Sequence, residues 1–521
     1  MKIPFPRLLI FVLVLGWVFD LMFWNAGFGV NFPLFVLLVL AGGYLLLRQS
    51  EIFPAKAAWW LVIPIALLGA ATLFRAEPLS RSLAVTAVLL SLSILAVTYQ
   101  GGRWLSYGLA DYFGKSLDLF GTVMVRTIEH FVKWRKEPRE VPASKGSFPW
   151  MPILRGVAIA VPVVGIFLAL LTSADVIFYE RVVHFFDLFS FDKSVEYFFQ
   201  LLLILFVAFV LAGVFLHAGM RSGDAKLYGE QEPLVKPFFG FIETSIVLGS
   251  VTLLFLAFVV IQFQYFFGGN ANIGVAGYTY SEYARRGFSE LVTVGLISLF
   301  MIMGFSTVTK RENDLQKRVY SILSTAIVAL VVVMLISAYQ RLTLAISWHG
   351  YSRLRLYPKV FMIWVGILFV AVVILEWFHK ERHFALAFLL AAMGFVVTLN
   401  VINVDAEIVR VNVQRATAGF HFNPEYLASL SWDAMPALTD AFQTTSQTDV
   451  REGIGAAIIC LGYEEAQRPP MDWRSFTFAR WRAQLAYDTV EGQLQAYTLN
   501  KSYDPPRVRT PSEVYIFCPY R

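Results

Sequence analysis

Long apolar runs separated by short polar breaks recur along most of this chain. A helix rises about 1.5 Å per residue and the hydrocarbon core of a bilayer is about 30 Å thick, so a span needs roughly 17 to 25 apolar residues. Runs near 8–25, 32–48, 57–75, 80–98, 153–173, 197–218, 241–264, 288–308, 320–340, 359–378 and 384–402 satisfy that ruler. The breaks among the first four are short, and a re-entrant pair there would imitate two spans, which brackets the count at about 10 to 12. The expected fold is an all-α integral membrane protein, a polytopic bundle of about 11 transmembrane helices with a small, mostly helical C-terminal extramembrane domain.

The pattern divides the chain into four parts: a four-helix membrane segment over 1–100, a basic cytoplasmic loop over 101–152, a main membrane domain of about seven spans over 153–402, and an extracytoplasmic helical domain over 403–521. Within the loop, Leu109, Phe113, Leu117, Phe120, Met124, Ile128 and Phe131 recur at helical spacing with Lys115, Arg126 and Lys133 between them. That suits a helix lying on the cytoplasmic leaflet, where cations meet anionic lipid, and equally an ordinary helix packed under the bundle. A shorter aromatic version, Val176 to Phe191, is expected on the outer surface. In the last part the pattern predicts helices over 405–415, 424–431, 451–461 and 473–497, and an extended close from Val514 to Pro519.

Composition agrees with the membrane class: 57% of the 521 residues are hydrophobic, 15% are charged, and mean hydropathy is +0.61. The net charge of +6 does not imply nucleic acid, because no soluble basic domain or nucleic-acid motif accompanies it. Excess Lys and Arg in such a chain belongs to cytoplasmic loops. With Lys2 and Arg7 inside, the most basic connection, Arg103 to Lys145, also falls inside, as do Lys310, Arg311, Lys317, Arg318, Lys380 and Arg382. The N-terminal apolar run lacks a clear cleavage pattern and reads as an uncleaved first helix. An odd number of spans then places the tail outside a bacterial cytoplasmic membrane. The two cysteines, Cys460 and Cys518, both lie in that tail and suggest a disulfide formed in an oxidising compartment; two unrelated thiols are the alternative.

No Walker A loop, dinucleotide fingerprint, nucleophile elbow, HExxH or CxxC occurs, so no cofactor is expected. His379 and His383 have a metal-capable i, i+4 spacing but no third ligand nearby, and no metal site is expected. The glycine-rich 268–277 lacks the lysine of a phosphate loop. More specific is Glu282, Arg286 and Glu290, at i, i+4 and i+8 if the eighth span begins near Tyr280, with Arg285 pointing about 100° away. Charge below the interface costs about 2.5 to 3.5 kcal/mol unless it meets a partner or water. Arg341, Arg353 and Arg355 fall on the same outer side, where positive charge should be depleted. These residues could form an outward vestibule in which guanidinium forks meet an anionic lipid or a small anion. The same residues could equally be an internal salt-bridge network that binds nothing.

The segments Tyr283–Leu291, Ser337–Leu342 with Arg353-Leu-Arg355, and Asn403–Arg410 with Tyr426–Ser431, together with Thr172-Ser-Ala-Asp175, resemble the bacterial multi-pass membrane family catalogued as domain of unknown function 4173. The resemblance runs from about Leu154 to Pro436 and implies a bacterial cytoplasmic-membrane protein with no settled activity. Three functional readings follow. The first is a transporter or channel-like protein with an outer arginine-rich pocket for an anionic group or lipid headgroup. A membrane scaffold or sensor with a purely structural charge network is the alternative. A membrane-embedded enzyme acting on a lipid or polyprenyl phosphate is the least favoured.

Overall fold

A computed structural model describes residues 4–136, 150–187, 194–224, 226–228, 237–267 and 288–519. The described residues are predominantly helical, and the chain divides into two compact units, 1–24 with 121–213 and 25–120 with 214–521. Ten helices among the described residues are long and apolar enough to cross a membrane.

The smaller unit contains α1 (Phe5–Phe23), α6 (Thr127–Lys136), α7 (Trp150–Ala174), α8 (Val176–Asp187) and most of α9 (Ser194–Met220). Helix α7 is 25 residues long and occupies the predicted fifth span. Phe5 packs its ring 5.3 Å from that of Trp134. Gly16 lets α1 approach α9, since a Cβ there would stand 2.5 Å from the Ile204 carbonyl oxygen. The Trp24 indole donates to Glu196 at 2.8 Å.

The larger unit contains α2 (Asn31–Gln49), α3 (Val62–Phe74, entered through a 3-10 turn from Lys56), α4 (Pro78–Thr98) and α5 (Leu109–Gly121). It continues with α10 (Phe241–Phe267), α11 (Phe288–Val308), α12 (Asp314–His349), α13 (Arg353–Trp377) and α14 (Phe384–Ile402). Helix α5 turns Leu109, Phe113, Leu117 and Phe120 outward, an exposed apolar face suited to the membrane surface. The apolar core of the later helices is built from residues such as Leu299, Ile327, Val331, Phe369 and Val372, each at most 1% exposed. Outward-facing Leu253, Leu254 and Leu354 stay open, as lipid contact requires.

Helix α12 differs most from the sequence pattern. It runs 36 residues rather than the predicted 320–340, about 54 Å against a hydrocarbon core of about 30 Å. The added turns are mixed in character: a capping box joins Asn313 and Gln316 at the start, and the helix continues past Arg341 to His349 with Leu342 and Ile346 buried. Gly350 stops it, with φ of 77° and no room for a Cβ, which would lie 2.4 Å from Asn412 Oδ1.

The C-terminal part of this unit holds α15 (Val404–Thr417), α16 (Pro424–Ala428), α17 (Met435–Thr444), α18 (Thr448–Ala466) and α19 (Phe478–Asp488). A three-stranded antiparallel sheet follows, with β1 (Thr498–Asn500), β2 (Arg507–Arg509) and β3 (Tyr515–Phe517) in the order β1-β2-β3. Helix α17 and the sheet add to the helices expected from sequence, and 473–497 is broken into two 3-10 turns flanking α19. Leu438, Ile454, Ile458, Leu461 and Val508 form a fully buried centre continuous with Leu399 and Ile408 at the α14–α15 junction. The core of this tail is therefore shared with the ends of the spans. Cys460 on α18 is bonded to Cys518 beyond β3, with Cα atoms 5.2 Å apart.

Candidate functional site at the tail-facing helix ends

Of the sequence-selected residues, Glu282, Arg285 and Arg286 lie outside the described residues. Glu290 is exposed in the first turn of α11, and Arg341 is half-buried two turns before the end of α12. Arg353 and Arg355 occupy the first turn of α13. A cation there opposes the positive end of the helix dipole, so each needs compensation.

For Arg353 the compensation is Asp405, in the first turn of α15. The guanidinium forks onto the carboxylate, Nε to Oδ1 at 2.8 Å and Nη2 to Oδ2 at 2.5 Å. The Asp405 side chain is fully buried while that of Arg353 is 25% exposed. Asp405 also accepts the Ser431 N–H at 2.7 Å, and Tyr426 Oη accepts the Arg353 N–H at 2.8 Å. One bidentate pair thus joins α13, α15 and the loop after α16. Arg355 is used differently. It reaches back to the Gly350 carbonyl at 2.9 Å, while Arg415 donates to the Ser347 and Trp348 carbonyls. Both cations cover the exposed carbonyls at the negative end of α12.

A second knot ties the tail to the α3–α4 connection. Glu77 caps α4, accepting the N–H groups of Leu79 at 3.0 Å and Ser80 at 2.6 Å, and it accepts the Tyr357 hydroxyl from α13 at 2.6 Å. Asp433 accepts the N–H groups of Ala76 at 2.7 Å and Glu77 at 2.8 Å through one oxygen. Arg75 donates to the carbonyls of Asn400 at 2.5 Å and Val401 at 3.1 Å, closing the end of α14. Asn403, at φ of 54°, turns the chain from α14 into α15 and caps α15 through Ala406 N–H.

Burial pushes the Asp433 carboxyl up to about 6, against the two backbone N–H groups and the Arg75 charge, which hold it down; Asp405 adds to the rise. Burial also lowers Arg75 and raises Tyr426. The folded Asp433 value stands above the unfolded carboxylate value of about 3.9. Between those two pH values the folded state holds a proton that the unfolded state has lost. Stability therefore falls as pH rises through that window, by about 3 kcal/mol for a shift of this size. In Asp433→Asn this slope should vanish, so the difference in melting midpoint between wild type and variant should change between pH 4.5 and 7.5 and favour the variant at the higher pH. A constant difference would contradict the buried-acid assignment.

The other ends of these helices are tied as well. Asp224 accepts from the hydroxyls of Thr98 at 2.7 Å and Tyr107 at 2.5 Å and pairs with Lys115. Asp111 pairs with Arg382 at 2.9 Å, and Glu376 with Arg311 at 2.7 Å. No group of three His, Cys, Asp or Glu residues capable of holding a metal occurs among the described residues.

A family model described as a domain of unknown function, DUF4153, matches residues 62–441. The chain belongs to the DUF4153 family. The resemblance to family 4173 is thereby corrected in its number, while an unknown-function, multi-pass family stands. The match to DUF4153 begins at 62, so it takes in α3 and α4, and it contains both knots: Arg75, Glu77, Arg353, Tyr357, Asp405, Tyr426 and Asp433. The disulfide lies beyond it. No curated protein and no solved structure matches the chain.

The sequence selected Arg353 and Arg355 as positive charge on an unexpected side, but nothing in it assigned them partners. Asp405 lies 52 residues from Arg353, and Asp433 lies 356 residues from Glu77. A signal was available: Asp405 and Asp433 each stand between two apolar neighbours, Val404 and Ala406, and Trp432 and Ala434, where an acid that becomes buried needs a partner.

Proposed function

We propose that this DUF4153 protein is a membrane scaffold or sensor whose C-terminal domain is held in a fixed pose on the outer ends of the spans. The observation that carries this reading is the Arg353–Asp405 pair. Its acceptor is fully buried and both oxygens are engaged, so the fork that would receive an anion is occupied by the protein itself. Arg355 is likewise committed to helix-end carbonyls. A transporter built around these two arginines would have to break a structural pair in each cycle, which costs several kcal/mol.

The same proposal places the tail outside a bacterial cytoplasmic membrane with the N-terminus inside. Arg103, Lys115, Lys310, Arg311, Lys380 and Arg382 stand at the helix ends opposite the tail, which supports that orientation. The Cys460–Cys518 bond supports an oxidising compartment for the tail.

Anion flux into proteoliposomes tests the functional reading. The expected result is no flux above empty vesicles that depends on Arg353. A saturable anion flux in wild type that Arg353→Ala abolishes, in vesicles holding equal folded protein, would overturn the scaffold reading in favour of transport.

A further inference from the structure

Helix α19 has two apolar faces where a surface helix needs one. Ala479 and Ala483 are buried against the rest of the tail. About 140° round the helix, Phe478, Trp481 and Leu485 follow one another at i, i+3 and i+7 on the other face. Trp481 and Leu485 expose 45% and 49% of their surface, and Trp473, in the 3-10 turn before α19, exposes 58%. Of the three tryptophans in the tail, Trp432 is buried, and the other two lie on α19 and the turn that leads into it.

Contacts with two spans set the level of this face. The Val30 N–H, at the start of α2, donates to the Phe476 carbonyl at 2.9 Å, and the Phe478 ring stacks on Phe74, the last residue of α3, with centroids 5.1 Å apart. Gly29 permits the first contact, because a Cβ there would lie 2.4 Å from the Ser475 backbone. The segment Lys56–Phe74 is 6 residues of 3-10 helix followed by 13 of α-helix. At rises of about 2.0 and about 1.5 Å per residue it spans about 31 Å, which matches a hydrocarbon core of about 30 Å. Exposed Trp59 and Trp60 stand near its first end, as at a membrane interface, and Phe74 closes it, so Phe74 marks the boundary of the opposite leaflet.

The lipid-facing side of α3 runs on into α19. Ile63, Leu67 and Phe74 are exposed along α3, Phe478 continues from Phe74, and Trp481 comes next, edge-on to Phe478 at 6.4 Å. Arg482 sits over the Phe74 ring at 6.0 Å, the placement of a long cation whose stem covers apolar surface while its charge stays in water. The outward stripe of a span and the outward face of α19 are one continuous apolar surface. What covers the first covers the second.

We propose that α19 is an interfacial helix whose Phe478, Trp481 and Leu485 face, with Trp473 beside it, seats in the boundary between headgroups and acyl chains of the leaflet that α3 leaves at Phe74. The occupant of the face is the bilayer itself. Tryptophan belongs at that depth, and apolar burial carries the contact, so a zwitterionic lipid suffices. This goes beyond the scaffold reading, does not rest on it, and holds for either orientation of the chain.

Cys460 and Cys518 are the only cysteines in the chain and are bonded to each other, so a cysteine introduced elsewhere is the single reactive thiol. The full chain carrying Leu485→Cys, with a nitroxide on the new thiol, is reconstituted in phosphatidylcholine vesicles. Collision of the nitroxide with oxygen, which concentrates in lipid, is compared with its collision with a water-soluble nickel chelate. Leu67→Cys on α3 supplies the lipid reference, and Asp449→Cys, exposed at the start of α18, the water reference. The oxygen-to-nickel ratio at 485 should be several-fold above that at 449 and below that at 67. Trp481→Cys repeats the measurement from a second position on the face, should a label at 485 disturb folding, which the melting temperature reports. Ratios at 485 and 481 equal to that at 449 overturn the proposal. Broadening between nitroxides at 485 that persists on dilution with lipid also overturns it, in favour of a second copy of the chain covering the face.

Discussion

Arg353→Ala should destabilise the larger unit by about 3–5 kcal/mol, because it leaves the fully buried Asp405 carboxylate with backbone N–H contact alone. The reciprocal change, Asp405→Ala, should cost less. Arg353 keeps a quarter of its side chain exposed and can turn its charge toward water, whereas Asp405 has no such route. Arg353→Lys should lie close to Arg353→Ala, since an ammonium cannot satisfy both carboxylate oxygens in the fork geometry. Thermal or denaturant unfolding in detergent gives the ranking. Hydrogen exchange locates it, with protection expected to fall first over 404–434, where α15 and the Ser431 loop lose their tie. An Arg353→Ala protein as stable as wild type would show that the pair contributes nothing.

Cys460→Ser should cost about 4 kcal/mol in the same unit. The bond closes a loop of 58 residues, and loop-closure entropy for that length is of this order. The residues themselves are almost fully buried, so the serine hydroxyl adds a small packing penalty. The effect should be concentrated in α18 and the sheet, because the bond joins α18 to the end of β3 and reaches none of the spans. Limited proteolysis should cut the variant within 498–518 under conditions that leave wild type intact. Equal resistance would contradict a structural role. Cys518→Ser should match Cys460→Ser, since either change breaks the same bond.

The spans were legible because burial in lipid demands long uninterrupted apolar runs; the eleven runs in the sequence all fall on helices, and ten helices among the described residues are long and apolar enough to cross a membrane, the fifth run not being counted among them. Their ends were less legible. Helix α12 extends through Asp314 and His349 because turns of mixed polarity beyond the apolar run can continue a helix, and a hydropathy ruler does not mark where such turns end. In the tail, α17 carries Pro436 in its first turn and spans only 10 residues, too short for a clear period. The sheet is made of three-residue strands, too short to show a clear two-residue alternation.

The site was half visible. Arg353 and Arg355 stood out as cations on the side where cations are scarce, a question that sequence poses through the positive-inside rule. Their answers, Asp405 and the carbonyls ending α12, depend on how the tail folds back over the helix ends. The ladder at 282–290 has only Glu290 within the described residues.

The central claim is that the tail is locked to the helix ends by paired charge. A double-mutant cycle with Arg353→Met and Asp405→Leu measures it directly. Each single substitution should be strongly destabilising, and the double variant, with two apolar side chains of similar reach, should recover most of the loss, giving a coupling energy of at least about 2 kcal/mol. Additive losses, with no coupling between 353 and 405, would contradict the lock.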